Sequence, residues 1–396
     1  MSQPIIPGVS RRDLRLDAVR GLALLTIFIN HVPNNPLELY TSRNFGFSDA
    51  AEAFVLMAGI AVSLAYSGGF LKGAFREPVA RILRRARTLY VVHVLIMTLA
   101  LVIIGTGLHA FGVTSVAEHV NYTRLQTDTW RAAIGVPLLG YQIGYFNILP
   151  LYVVLLVAST GLLALATRSV HAMLSVSLLV WVLAHLTGIN FPNWPGQWGW
   201  FFNPFGWQFI FAIGVAIGLG VKTGRPLVAW NGPLYALAWA FVLFAAVWIK
   251  FDMGAVPGLS SLPFLFADTD KGPLAFLRLA HVLALAYVVI YTPAIGRILS
   301  SRAMAPVILM GRNGLAVFAA GSVLAILLQV VFEIWPVGEG MKVAIILVGI
   351  GAHYLVALAA DRGLSFPFRQ RQAEDRSAVR PGLASPVAGP VSEPAA

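Results

Sequence analysis

Four side chains near the N-terminus have the types and spacing for proton or acyl transfer. Asp17, Arg20 and His31 lie in "RLDAVRGLALLTIFINHVPNN" (15–35), and Glu52 lies in "SDAAEAFVLMAGI" (48–60). On a helix, the eleven steps from Arg20 to His31 turn about 1100°, roughly 20° past three full turns. The guanidinium and the imidazole therefore share one face, about 16.5 Å apart along the axis. Asp17 joins that stripe three residues earlier, and Leu24 and Ile27 fill it. With Arg20 at the inner edge of an apolar layer about 30 Å thick, His31 lies just beyond its middle. An anionic donor gripped by Arg20, with Asp17 beside it, would present its reactive end at His31. There a neutral imidazole is a general base for a hydroxyl, or a transient acyl carrier. The competing reading gives His31 an interhelical hydrogen bond and treats Asp17 and Arg20 as inexpensive interfacial charges.

Glu52 opens the second apolar run near the level expected for His31, where a carboxylate would orient an imidazole or stabilise its charged form. It is equally an N-terminal carboxylate favoured by the helix dipole, while Ser48 or Asp49 reads as that helix's cap. Arg81, Arg84, Arg85 and Arg87 crowd one stretch before the third run. They anchor to anionic lipid, or some of them hold donor phosphates through bidentate contacts, for which Arg84, Arg85 and Arg87 are the candidates. Trp194, Trp198, Trp200 and Trp207 surround a Gly- and Pro-bearing outer loop. They form an interfacial belt, or a platform on which sugar rings stack, with Trp194, Trp198 and Trp200 as the substrate contacts. His93 is a further polar group on the third run, and Asn313, at the start of the ninth run's helix body, faces the donor path or is a turn residue.

The elements that must position these groups are membrane helices. The 396-residue chain is 58% hydrophobic and only 11% charged, too little charge to cover a soluble protein of this length. Ten apolar runs recur, at about 18–33, 49–67, 88–108, 146–166, 171–188, 207–221, 233–249, 274–292, 306–332 and 341–360, each long enough to span or nearly span a bilayer. The expected fold is an all-α polytopic membrane protein of about ten helices with both termini cytoplasmic. With the N-terminus inside, 21 of the 28 Lys and Arg residues fall in cytoplasmic segments; the others are Arg43, Arg124, Arg131, Lys250, Lys271, Arg278 and Lys342. That is the positive-inside bias, so the net charge of +11 points to a membrane rather than to nucleic acid. "SRRDLRL" is similar to a twin-arginine leader, but Asp17 and Arg20 interrupt it and no small-residue cleavage site follows, so an uncleaved first helix is expected. Residues 1–360 read as one transmembrane domain and 361–396 as a disordered cytoplasmic tail rich in Pro, Ala, Ser and Arg. Cysteine is absent, as are metal-binding and nucleotide-fold motifs, so no metal is expected.

"RLDAVRGLALLTIFINH" resembles the opening helix of the acyltransferase-3 superfamily, in which an Arg precedes a His by this spacing. "RNFGFSDAAEAFVLMAGI", "YFNILPLYVVLL", "WFFNPFGWQFIFAIG" and "GRNGLAVFAAGS" resemble blocks of its OpgC branch in their order. The resemblance covers 12–360 and implies a multi-pass enzyme of the bacterial inner membrane. It implies an acyltransferase that uses acyl-CoA, with succinyl-CoA as donor, to modify a periplasmic glucan. Carried residue by residue, it puts His31 at the chemistry and Arg20 at the donor. The succinyl group rests on the resemblance alone. Two other classes compete: a transporter or flippase using the polar stripe as a path for an anionic or glycan substrate, and a catalytically silent scaffold for glucan-processing proteins.

Overall fold

The computed structural model of the chain describes residues 13–196, 198–253 and 268–363. Among these, the only β pairing is an isolated bridge between Pro192 and Gly199, and every other regular element is helical. The long helices are α1 (Leu14–Asn30), α2 (Ala50–Leu71) and α3 (Arg76–Phe111), then, after the short helices α4 (Ser115–His119), α5 (Thr123–Thr127) and α6 (Thr129–Gly135), α7 (Ile148–Ala166), α8 (Val170–Thr187), α9 (Pro204–Thr223) and α10 (Gly232–Lys250). They are followed by α11 (Phe276–Tyr291), α12 (Pro293–Leu299), α13 (Ala305–Arg312), α14 (Gly314–Ile334) and α15 (Glu339–Asp361).

Polar residues set the helix starts. The Asp13 side chain accepts from Arg15 N at the head of α1. Asp49 and Glu52 form a reciprocal capping box at the head of α2, which resolves the choice between Ser48 and Asp49 as its cap. Asn203 and Asn231 cap α9 and α10, each followed by a Pro in the first turn. Gly112, Gly188 and Gly224 end α3, α8 and α9 in the left-handed region, where a Cβ is costly.

Each of the ten expected apolar runs is helical. Eight described helices are long and apolar enough to cross a membrane, or nine when α11 and α12, which meet at 85°, are taken as one broken span. α1 has 17 residues, about 25 Å, short of an apolar layer about 30 Å thick. The run at 306–332 divides at Asn313, which ends α13 and precedes α14 while its side chain donates to Leu309 O; it is the junction residue. Leu179, Leu237, Leu243, Val348 and Leu355 are more than half exposed, an outward apolar surface that suits lipid. The residues expected to form the tail beyond Gly363 lie outside the described residues.

α1 packs on α2 at one side and on α13 and α14 at the other; α14 packs on α3, α3 on α7, and α7 on α2, closing a ring of helices. α2 and α9 approach most closely. A Cβ at Gly59 would strike Phe211 O, one at Gly214 would strike Leu56 O, and one at Gly218 would meet Ile60 O, the small-residue seam that lets membrane helices touch backbone to backbone. Gly214→Leu should lower the thermal midpoint of the detergent-solubilised protein, by an overpacking cost of about 1–3 kcal/mol. An unchanged melt would show that the two helices separate without penalty.

Candidate functional site

The stripe on α1 is assembled as helical geometry requires. Asp17 is buried and accepts from Arg20 Nη1 at 3.1 Å, and Arg20 also donates to Gly311 O at 3.4 Å. This approach depends on Gly311, since a Cβ there would collide with Asp17 O, and on Gly21, where one would collide with Val307 O. His31 extends the last turn: it has αR backbone angles and its N–H donates to Ile27 O at 3.0 Å. Gln329 on α14 donates to His31 O at 2.6 Å. The imidazole stacks on Tyr145, with centroids 4.1 Å apart and planes 14° from parallel. It lines a cavity of about 10 Å³ together with Leu24, Ile27, Phe28, Gly321, Ser322 and His353, among others. That is room for about one water. Leu24 and Ile27 thus stand beside His31 as the stripe predicts, while Arg20 is not part of the cavity wall.

Glu52 belongs to a different constellation. Its carboxylate accepts from Asp49 N at 2.8 Å and from Arg278 Nε at 2.6 Å, and neither bond is to His31. Asp49 Oδ1 accepts from Ala51 N at 2.8 Å, and Oδ2 receives Lys271 Nζ at 2.5 Å and Arg278 Nη2 at 3.3 Å. Lys271 and Arg278 thus supply the counter-charges of the Asp49 carboxylate. Beside this quartet, Ser48 Oγ lies 2.7 Å from His281 Nδ1, which also receives Ser48 N at 3.3 Å. Trp207, in the core, fixes the Lys271 segment by donating from Nε1 to Lys271 O and Gly272 O at 3.0 and 3.1 Å.

At the opposite end, α3 is 36 residues long, about 54 Å, so its basic first turns extend past any apolar layer. Arg81 pairs with Glu77 at 3.1 Å and lies 5.5 Å over the Tyr66 ring. Arg81, Arg84 and Arg85 lie on the first turns of α3. These three share an arc of about 100°, while Arg87 falls outside it. Lys222, from the last turn of α9, donates to Leu64 O at 3.0 Å, and the Arg81 charge reaches it. The basic group facing α2 is therefore Arg81, Arg84, Arg85 and Lys222, with Arg87 exposed on another face.

The tryptophans divide by exposure. Trp198 is 83% exposed, whereas Trp200 is 6% exposed and sits edge-on to Phe191 with centroids 5.3 Å apart. Trp200 therefore has no open ring face for a sugar. Trp194 is half-buried and edge-on to the exposed Trp130, 6.3 Å away, and Trp130 carries Arg131 at 5.2 Å over its ring. Trp200→Ala should lower the thermal midpoint of the detergent-solubilised protein, whereas Trp198→Ala should leave it nearly unchanged. Equal effects on the melt would remove the distinction. His93 is fully buried, with neither ring nitrogen hydrogen-bonded among the described residues.

Sequence reasoning did not single out His353, Ser322, Gln329, Tyr145, Lys222 or Trp130. It counted Lys271 and Arg278 only as exceptions to the charge bias. The usable signal was that two cations on the sparse side of a positive-inside chain need partners, and Asp49 and Glu52 were at the same level.

A bundle of long apolar helices carrying a part-buried Asp–Arg pair and a histidine on one stripe defines a polytopic, multi-pass membrane protein with an internal polar site. The family model described as OpgC protein matches residues 12–363, and the chain belongs to that family. Membership supports a glucan-modifying acyltransferase role. No curated protein and no solved structure matches the chain.

Proposed function

We propose that the chain is a transmembrane O-acyltransferase of the bacterial inner membrane, moving an acyl group, succinyl foremost, from cytoplasmic acyl-CoA to a hydroxyl of a periplasmic glucan. The observation that carries this is the single stripe on α1, with Arg20 paired to Asp17 at one end and His31 beside a cavity at the other. Arg84 and Arg85, with Arg81 and Lys222, hold the donor's phosphates through charge-assisted hydrogen bonds. Arg20, oriented by Asp17, grips the donor along its length. For the thioester to reach His31, the space beside Leu24 and Ile27 has to widen. His31 then takes the acceptor's proton as the hydroxyl oxygen attacks the thioester carbon; the C–O bond forms, the C–S bond breaks, and the proton ends on the thiolate. Glu52 acts through the Asp49, Lys271 and Arg278 quartet. Trp198, Trp194 and Trp130 receive the glucan at the outer surface.

The test uses purified protein in detergent with succinyl-CoA and a glucan oligosaccharide. The expected result is release of CoA and a matching mass increase of the oligosaccharide, with no gradient present. Glucan movement across liposomes without any acyl transfer would overturn the proposal in favour of a carrier.

A further inference from the structure

We infer that His353 is a second proton-handling histidine of this site, a positioning residue that acts through His31; the inference rests on the acyl-transfer reading above. His353 lies on α15 and is 2% exposed. Its Nδ1 stands 2.7 Å from Gly349 O. A carbonyl can only accept, so Nδ1 carries the proton and Nε2 holds a lone pair. Nε2 is turned toward Gly321 on α14, where a Cβ would collide with it. Gly321 is what lets the ring come up to the cavity. Phe28 packs on the imidazole with centroids 4.4 Å apart, holding it between α1 and α14.

His353 and His31 line the same cavity, with Ser322 beside them. The Ser322 hydroxyl donates to Phe318 O at 2.9 Å, so its proton is already used. A neutral imidazole that offers one nitrogen as a base keeps its proton on the other. Within this space the proton of His31 reaches the lone pair of His353 Nε2 through the one water the cavity can hold. His353 thereby holds His31 in the tautomer whose lone pair faces the acceptor hydroxyl. When the hydroxyl proton moves to His31, the positive charge is shared with His353 Nε2. The proton then passes to the leaving thiolate, and neither histidine ends with a net gain. A carboxylate performs this task for the histidine of hydrolase triads; here Glu52 is occupied by Arg278.

The test measures kcat and KM for succinyl-CoA and a glucan oligosaccharide in His353→Ala, His353→Gln and His353→Phe. Loss of the lone pair should lower kcat by about 10²-fold in the Ala variant with both KM values unchanged. Gln, which keeps an acceptor oxygen, should recover part of the loss, and Phe, which fills the volume without an acceptor, should not. Wild-type kcat in the Ala or the Phe variant overturns the inference. Should no variant accumulate folded, 15N-histidine NMR of the wild-type chain and of His31→Ala decides. The Nδ1–H tautomer of His353, with an Nε2 resonance that moves when His31 is removed, supports the inference; the opposite tautomer or an unmoved resonance overturns it. Activity in His31→Ala would instead bring down the acyl-transfer reading itself.

Discussion

His31→Ala should yield a folded protein that no longer transfers acyl groups. The loss expected from removing a positioned base is on the order of 10²–10⁴-fold, and it is larger if the imidazole also carries the acyl group. Folding should survive because the backbone of His31, not its ring, makes the contacts that hold this point of the chain: N–H to Ile27 O and C=O from Gln329 Nε2. The ring itself stacks on Tyr145 and lines the cavity, so its removal enlarges a small space and leaves those backbone bonds in place. His31→Gln restores hydrogen-bonding capacity but no titratable nitrogen, and should be as inactive as the alanine variant. Turnover by membranes containing either variant, normalised to folded protein, is the measurement. Near-normal turnover would remove His31 from the chemistry.

The second large effect is on stability. Glu52 is 0% exposed and its carboxylate receives Arg278 Nε at 2.6 Å. Arg278→Ala leaves that carboxylate buried without its nearest counter-charge and also weakens the hold on Asp49. Breaking one partner out of a buried ion pair costs about 3–5 kcal/mol, so the detergent-solubilised variant should lose a large part of its thermal midpoint or fail to accumulate. Arg278→Ala combined with Glu52→Gln removes both charges and should recover much of the loss, because the two positions are directly coupled. A double variant no better than Arg278→Ala would mean that the pair is not the source of the stability.

The local geometry of the site was legible in the sequence, and its long-range partners were not. Arg20 and His31 lie on one helix, so 100° per residue fixes their relation without knowledge of any other element, and Leu24 and Ile27 fall beside His31 as the same arithmetic requires. Asp17 beside Arg20 follows for the same reason, being three residues away. Capping is equally local, which is why Asp49 and Glu52 could be placed at the head of α2. His353 could not be found this way. It reaches the cavity only because α15 packs on α14 across Gly321, a contact between elements that no periodicity encodes. Glu52 illustrates the opposite difficulty. Its depth suggested His31 as a partner, but a cation from α11, 226 positions along the chain, meets it first, and a guanidinium satisfies a buried carboxylate more fully than a neutral imidazole. Trp200 was grouped with Trp198 by composition alone, whereas the bridge between Pro192 and Gly199 folds the loop back on itself and sends the two rings to opposite environments.

On the proposed function, one wall of α1 conducts acyl chemistry between two faces of a membrane, with His31 at the meeting point. Proteoliposomes of uniform orientation, given succinyl-CoA on the Arg84 and Arg85 side only and glucan on the Trp198 side only, test it most directly. Succinylated glucan should appear on the Trp198 side with the wild-type chain and not with His31→Ala. Transfer that occurs only when donor and acceptor share one compartment, or that continues undiminished without the imidazole, would contradict it.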